Sequence, residues 1–306
     1  MGKRLRIMDW YVHQGHQYEF FKTGHNFFLS NVGGKLPDWN INHRPLNKNL
    51  RLCSELEQRN TKFDVVMIRS PLHSFRYNPF LARGAVPIAV VQTTEPFKIP
   101  AWVRHIVWNS KEVMSSWKGY FPRSKHFYIP HGYDPNEFVI KNLDKNGRIL
   151  SVLNVFKKRS GFLGYDLWRD ISKNTGLCDV VGHGNEDLNE SSGQASSLDS
   201  LIDIYNSYSV FFNPTNHSAM PRSRAEAMMC GCPIVSTDNY DIGSYIKHKR
   251  DGFLSNDPDR LLKYIKTLLS DPDLAKEIGS RGREVAIREF HIKDYIDRWN
   301  NLFYSI

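Results

Sequence analysis

Pro221, Arg222, Arg224 and Glu226 fall within a few residues of one another in the segment SAMPRSRAEAMMCGCPIVSTD, residues 218–238. Pro221 suits the first position of a helix, because its missing N–H costs nothing there. A helix start presents free backbone N–H groups and a positive dipole end, and both attract phosphate. Arg222 and Ser223 fall on that first turn, with Glu226 one turn further in. A carboxylate so placed can accept from two vicinal hydroxyls at once, as a ribose presents them. One helix would then hold both the phosphate end and the sugar end of a nucleotide. A surface helix with an Arg222–Glu226 ion pair would account for the charges, but not for the proline, the apolar strand before it or the GCPIVSTD after it.

Two other stretches share this character. KKRSG follows the apolar run SVLNVF and sets Lys157, Lys158 and Arg159 at a strand end. Arginine offers a two-pronged fork to phosphate oxygens and lysine a point charge. Without context, a solvated basic turn explains them equally well. VGHGN places Gly182 and Gly184 around His183, a turn that lets backbone pass close to a planar ligand such as a base. Glycine turns of this kind are common, and a lone histidine in one is more often structural than catalytic.

These stretches need strands and helices to carry them, and the chain supplies both in alternation. RLRIMDWYV, HNFFLSN, FDVVMIRS, PIAVVQTT and HIVWNS read as strands in the first half, separated by the helices QYEFFKTG, NLRLCSELEQRN and KEVMSSWKGYF. Apolar runs alternating with helices of about ten residues imply parallel βαβ units whose strands are buried on both faces. HGYDPNEFVIKNLDKNGR breaks the rhythm and places a hinge near 135–147. The alternation then restarts with RILSVLNVF, GYDLWRDISKN, CDVVGHGNED, LDSLIDIYNSY and SVFFNPT. At 306 residues the chain is about right for two α/β domains. The predicted fold class is α/β, with two Rossmann-like domains facing a cleft. The expected boundaries are 1–140, 141–285, and a last helix over 286–306 that crosses back to brace the first domain.

Composition narrows the function classes. Apolar residues make up 41% and charged residues 24%, as in a globular protein that needs no bilayer. No apolar run reaches the roughly 18 residues of a membrane span. MGKRLRIMDWY lacks a signal-peptide core, so the expected location is cytoplasmic, peripheral at the inner membrane face if lipid is the target. Cys53, Cys178, Cys230 and Cys232 form neither a zinc spacing nor a disulfide framework, and read as buried free thiols. The net charge of +9 is one-sided: residues 1–140 hold 19 Lys+Arg against 10 Asp+Glu, and the remainder is balanced. That asymmetry points the first half toward something anionic, set against the simpler reading of a soluble basic surface.

At this point the chain resembles the GT-B glycosyltransferases, in particular the large retaining group called family four. HSAMPRSRAEAMMCGCPIVSTD followed by DGFL resembles their donor-binding region. TGHNFFL, HIVWNSKEV, IPHGYDPNEF, LSVLNVFKKRSG, VGHGNED and the closing helical segment DPDRLLKYIKTLLSDPDLAKEIGSRGREVAIREF resemble other parts of the fold in the same order. The resemblance implies a nucleotide-sugar donor held by the second domain, an acceptor held by the first, and transfer with retention through an oxocarbenium-like transition state. By that analogy Arg159 and Lys158 stabilise the leaving diphosphate and Glu226 holds the ribose. Lys157, His183, Gly184, Ser218, Pro221, Arg222 and Ser223 complete the donor side, with Gln14 and Gly15 closing onto it from the first domain. His13, His16, Arg69, His73 and Glu95 are the acceptor-side candidates.

Three departures stand out. Ser218 occupies the position of a usual glutamate near the donor sugar, Asn154 that of a usual arginine, and Thr94 and Glu95 that of a usual histidine. Arg222 and Arg224 are candidates to replace the missing arginine. The resemblance implies no metal and no cofactor; the two DPD triplets, 257–259 and 271–273, read as helix starts. Between residues 98 and 125 six cations face one acid, with Trp102, Trp108, Trp117, Tyr120 and Phe121 interleaved. The expected acceptor is therefore anionic: a lipid-linked or envelope glycan at a membrane surface, or alternatively a hydroxylated base in nucleic acid. A nucleotide-sugar-binding module without turnover is the third reading.

Overall fold

The computed structural model of the chain describes residues 3–31, 36–71, 78–81 and 83–306. The chain divides into two compact units: residues 1–132 with 292–306, and residues 133–291.

The first unit is built on β1 (Arg6–Trp10), α1 (Gln14–Phe21), β2 (Asn26–Ser30), β3 (Leu50–Leu52), α2 (Glu55–Asn60), β4 (Val65–Ile68), α3 (Asn78–Leu81), β5 (Val86–Val91), β6 (His105–Trp108), α4 (Lys111–Trp117) and β7 (Lys125–Tyr128). Its strands form one parallel sheet in the order β3-β2-β1-β4-β5-β6-β7. Central strands β4 (VVMI) and β5 (VPIAVV) are wholly apolar, as strands buried on both faces are, whereas β1 carries Asp9 near its carboxyl end. Residues 49–60, expected as a single helix, divide instead. Leu50–Leu52 pairs with β2, and the helix begins only after Ser54, whose hydroxyl accepts from Glu57 N while Glu57 reaches back to Ser54 N. That reciprocal cap fixes the helix start, and the three residues before it are free to extend the sheet.

The second unit contains β8 (Ile149–Val152), α5 (Ser160–Leu163), α6 (Tyr165–Thr175), β9 (Cys178–Val181), α7 (Leu198–Ser207), β10 (Val210–Asn213), α8 (Arg222–Met229), β11 (Ile234–Ser236), α9 (Ile242–Tyr245), β12 (Phe253–Leu254), α10 (Pro258–Ser270) and α11 (Pro272–Phe290). Its sheet is also parallel, ordered β12-β11-β10-β8-β9. The DPD triplets start helices as expected. Asp257 accepts from Asp259 N and Arg260 N, Asp271 accepts from Leu274 N, and each proline occupies the first turn.

The last helix, α12 (Ile292–Phe303), belongs to the first unit. Tyr295, Trp299, Leu302 and Phe303 are buried in one cluster with Phe20, Phe21 and Phe27, and the Trp299 ring meets that of Phe20 at 4.7 Å. His25 joins Asn300 at 3.0 Å. All four cysteines are buried and unbridged. Burial pushes the Cys53 and Cys178 thiols up to about 11 and that of Cys232 to about 12, which keeps them unreactive.

Candidate functional site

In the second unit the chain leaves β8 for β9 on one side and later returns as β10 on the other. A parallel sheet opens a crevice outside the carboxyl ends of its strands at such a point. Three loops leave the strands there, and side-chain amides knit the first two together. Asn154 Oδ1 accepts from His183 N at 3.1 Å, and Val155 N donates to His183 O at 2.8 Å. Asn185 Nδ2 donates to Leu153 O at 2.7 Å and to Gly182 O at 3.0 Å, while its Oδ1 accepts from Phe156 N at 2.8 Å. The glycine turn exists for this interlock: Gly182 has φ +146°, and a Cβ there would meet Leu153 O at 2.2 Å. The loop after β10 is tied down by Asn216 N and His217 N, both donating to Phe162 O at 3.0 Å.

Lys157, Lys158 and Arg159 form a 3-10 turn within this framework, with all three side chains exposed. Lys157 pairs with Asp187 at 3.2 Å. Among the described residues Lys158 and Arg159 enter no ion pair, so two cations stand at the strand ends uncommitted. His183 is exposed and Gly184 half-buried beside them.

Helix α8 starts one residue later than the sequence predicts. Pro221 is the N-cap, with φ −59° and ψ 123°, and Arg222 is the first helical residue. The extended ψ of Pro221 excludes it from the helix, and no side chain caps the N-terminus. Ser218 and Ser223 are half-buried near this start. Arg222 turns back along the helix: Nη2 donates to Glu226 Oε1 at 3.2 Å, and the guanidinium lies 4.8 Å from the Tyr133 ring centre. Glu226 Oε2 accepts from Tyr205 Oη at 3.1 Å. Burial first, then the Glu226 charge, pushes the Tyr205 hydroxyl well above its ordinary value, so it remains a donor. Arg224 does not reach the helix mouth. It is buried, and Nη2 donates to Tyr245 Oη at 2.7 Å. The ion pair first set against a ligand role for Arg222 and Glu226 is therefore present, and the cations left open at this edge come from the β8 loop.

Two polar residues at this edge were not foreseen from the sequence. Asn213 ends an otherwise apolar strand, and both polar atoms of its buried amide lack partners, as does Thr215 Oγ1 two residues on. Buried polar groups are nearly always paired, so these mark a place where hydrogen-bonding capacity is held in reserve. A lone asparagine closing the run VFFN was the available signal.

The carboxyl edge of the first unit's sheet is different in kind. Its switch point lies between β1 and β4. Asp9 and Arg69, one from each strand end, form a buried two-pronged ion pair, with Nε to Oδ1 at 2.9 Å and Nη2 to Oδ2 at 3.1 Å. Gln17 adds a bond to Asp9 Oδ2 at 3.0 Å, and its own oxygen accepts from Val12 N and His13 N. Arg69 is thus spent inside the fold. Gln14 is bonded to the backbone of Asn40, and Gly15 is buried. His13 is exposed and stacks edgewise on His16 at 4.7 Å; His16 meets the buried His131 at 4.3 Å. His131, which joins Asn109 at 3.4 Å, was not foreseen. No metal-ligating group of three His, Cys, Asp or Glu side chains occurs among the described residues. Glu95 is exposed, and His73 lies outside the described residues.

Comparison with known structures places this architecture. Anabaena HepE in complex with UDP-glucose superposes with a TM-score of 0.77 over 99% of this chain and 100% of that one, at 11% identity. The fold is GT-B. Sucrose-phosphate synthase from Thermosynechococcus elongatus gives 0.74 over 99% of both chains at 13% identity. The family described as Glycosyl transferases group 1 matches residues 171–285, which hold the β9 turn, β10 and α8 of this GT-B chain. An uncharacterized glycosyltransferase of Haemophilus influenzae is 24% identical over 188 residues, 55% of this chain and 53% of that protein. The chain thus matches about half the length of that relative. No helix among the described residues is long and apolar enough to cross a membrane.

Proposed function

We propose that the protein is a retaining glycosyltransferase that needs no bound metal and moves a sugar from a nucleotide-sugar donor to an anionic or membrane-associated acceptor. The observation that carries this reading is the pair of uncommitted cations, Lys158 and Arg159, held at the switch point of a GT-B sheet by the interlocked 153–159 and 182–185 loops. Departure of a nucleoside diphosphate concentrates negative charge on the leaving oxygens. Cations fixed in advance at that place stabilise the transition state more than the ground state. Helix α8 would add its uncapped N–H groups, and Glu226 has lone pairs left for a ribose beyond its bonds to Tyr205 and Arg222. The unpaired Asn213 and Thr215 are available to sugar hydroxyls. Because HepE was captured with UDP-glucose, uridine donors come first.

The test is slow donor hydrolysis across UDP-, GDP-, ADP- and TDP-sugars, with Arg159→Ala as control. Release of one nucleotide, lost in the variant, supports the transferase. A second reading, a nucleotide-sugar-binding module without turnover, draws on Ser218 and on the engagement of both Glu226 oxygens. Donor binding by calorimetry with no release, alone or with candidate acceptors, would favour it.

A further inference from the structure

The first unit carries a basic region at the opposite end of its sheet from the Asp9–Arg69 pair. Helix α4 leaves the carboxyl end of β6 at Ser110 and runs back, so that the 3-10 turn Lys118–Tyr120 lies toward the amino ends of β6 and β7. Lys125 N donates to Arg104 O at 2.7 Å and Ser124 Oγ to Val103 O at 2.8 Å, which fastens the segments before β6 and β7 together. Arg104, Lys118, Arg123 and Lys125 are all exposed, and none of them enters an ion pair among the described residues. Two large aromatics share the region: Tyr120 is 73% exposed and packed on Trp117 at 5.2 Å, and Trp102 is 39% exposed.

Edge strands often carry lysine to prevent pairing with other chains, and β7 is an edge strand. That accounts for Lys125 alone. It does not explain three further cations from neighbouring segments, nor two amphipathic aromatics left in solvent. Unpaired cations beside exposed Trp and Tyr are the combination that suits the headgroup layer of an anionic membrane. Readout of duplex nucleic acid instead asks for a helix or ribbon that enters a groove. Here the cations come from loops and turns, and α4 offers the region only its last turn.

We infer that this surface, Arg104, Lys118, Tyr120, Arg123 and Lys125, docks the protein on an anionic lipid surface, at the end of the sheet remote from its carboxyl-edge loops. Docking there leaves those loops unobstructed. It concerns a partner rather than the transfer reaction, and binding is read without any turnover, so its failure is separable from failure of the transferase reading.

The experiment is cosedimentation with vesicles of phosphatidylcholine alone or mixed with phosphatidylglycerol, beside a gel shift on duplex DNA. The wild type should bind only the anionic vesicles. Lys118→Gln, Arg123→Gln and Lys125→Gln combined should weaken that partitioning roughly a hundredfold, from the contribution of each basic residue near a charged bilayer. The exposed Lys249, Lys263 and Lys266 of the second unit, changed together to Gln, give the same net charge and should leave it nearly intact. Tyr120→Ala should weaken binding without changing its salt dependence. Melting curves check that each variant is folded. Equal loss in both triple variants, no preference for anionic vesicles, or DNA binding without vesicle binding would each overturn the proposal.

Discussion

The carboxyl edges of the two sheets are built on the same plan and finished in opposite ways. In the first unit the charges at the switch point answer each other: Asp9 and Arg69 are paired, buried and braced by Gln17. In the second unit the loops are braced by neutral amides, Asn154 and Asn185, and the charges at their tips, Lys158 and Arg159, remain uncommitted. Holding a loop by amides leaves its cations available for a ligand, whereas an internal ion pair consumes them. A shared plan, a parallel sheet with a switch point, therefore does not mean equal chemistry at its edge, because what differs is which groups do the bracing.

Substitutions at the two edges should separate stability from activity. Asp9→Ala strands the Arg69 guanidinium in the interior and should cost about 3–5 kcal/mol, read as a lowered melting point. A near-neutral result would mean that the pair is not essential to the first unit. Arg159→Ala should do the reverse. Its exposed side chain makes it neutral to stability within about 0.5 kcal/mol. Turnover should nevertheless fall roughly 10²–10³-fold, as when a group stabilising transition-state charge is removed. Unchanged turnover with donor in hand would remove the cation from the mechanism. Gly182→Ala lies between these extremes. It would drive a methyl group into Leu153 O and should cost about 1–3 kcal/mol. Donor affinity should weaken with it, since the same carbonyl is bonded to Asn185.

The parts of this design visible in the sequence are those that rest on local chemistry. Apolar runs between helices give two parallel sheets, and Asp-Pro pairs give helix starts. Local pattern also located the β8 cations, because three basic residues after an apolar strand are conspicuous. It failed where a long-range partner decides. Leu50–Leu52 became a strand because β2 was available to pair with it. Arg69 resembled a ligand-binding cation until Asp9, 60 residues away, was found opposite it. Arg224, two residues from the helix start, faces inward to Tyr245 rather than outward, which spacing alone does not reveal. His131 acquires meaning only through His16, brought beside it by the sheet.

Histidines give the smallest effect and the finest probe of the two units. His25 accepts from Leu5 N through Nδ1 at 3.1 Å and meets Asn300 Oδ1 through Nε2 at 3.0 Å, so both nitrogens are used by the neutral ring. Burial is the main cause lowering its pKa; Arg4 adds to this, and the Asn300 bond opposes it. In the second unit His248 is exposed overall but accepts from Leu254 N at 3.0 Å, and its pKa is lowered by partial desolvation first and then by Lys249. A base whose folded pKa lies below its unfolded value of about 6.5 leaves the unfolded chain binding more protons as acid is added. Its contribution to stability is therefore complete above about pH 6.5 and is lost as pH falls through the folded value. Both units should melt at lower temperature at pH 5 than at pH 7.5. His25→Gln should flatten that dependence for the first unit alone, because Asn300 belongs to the helix that completes its core, while His248 continues to report on the second. A calorimetric scan that showed stability rising toward pH 5, or His25→Gln leaving the profile unchanged, would show that desolvation of these rings does not govern the acid response.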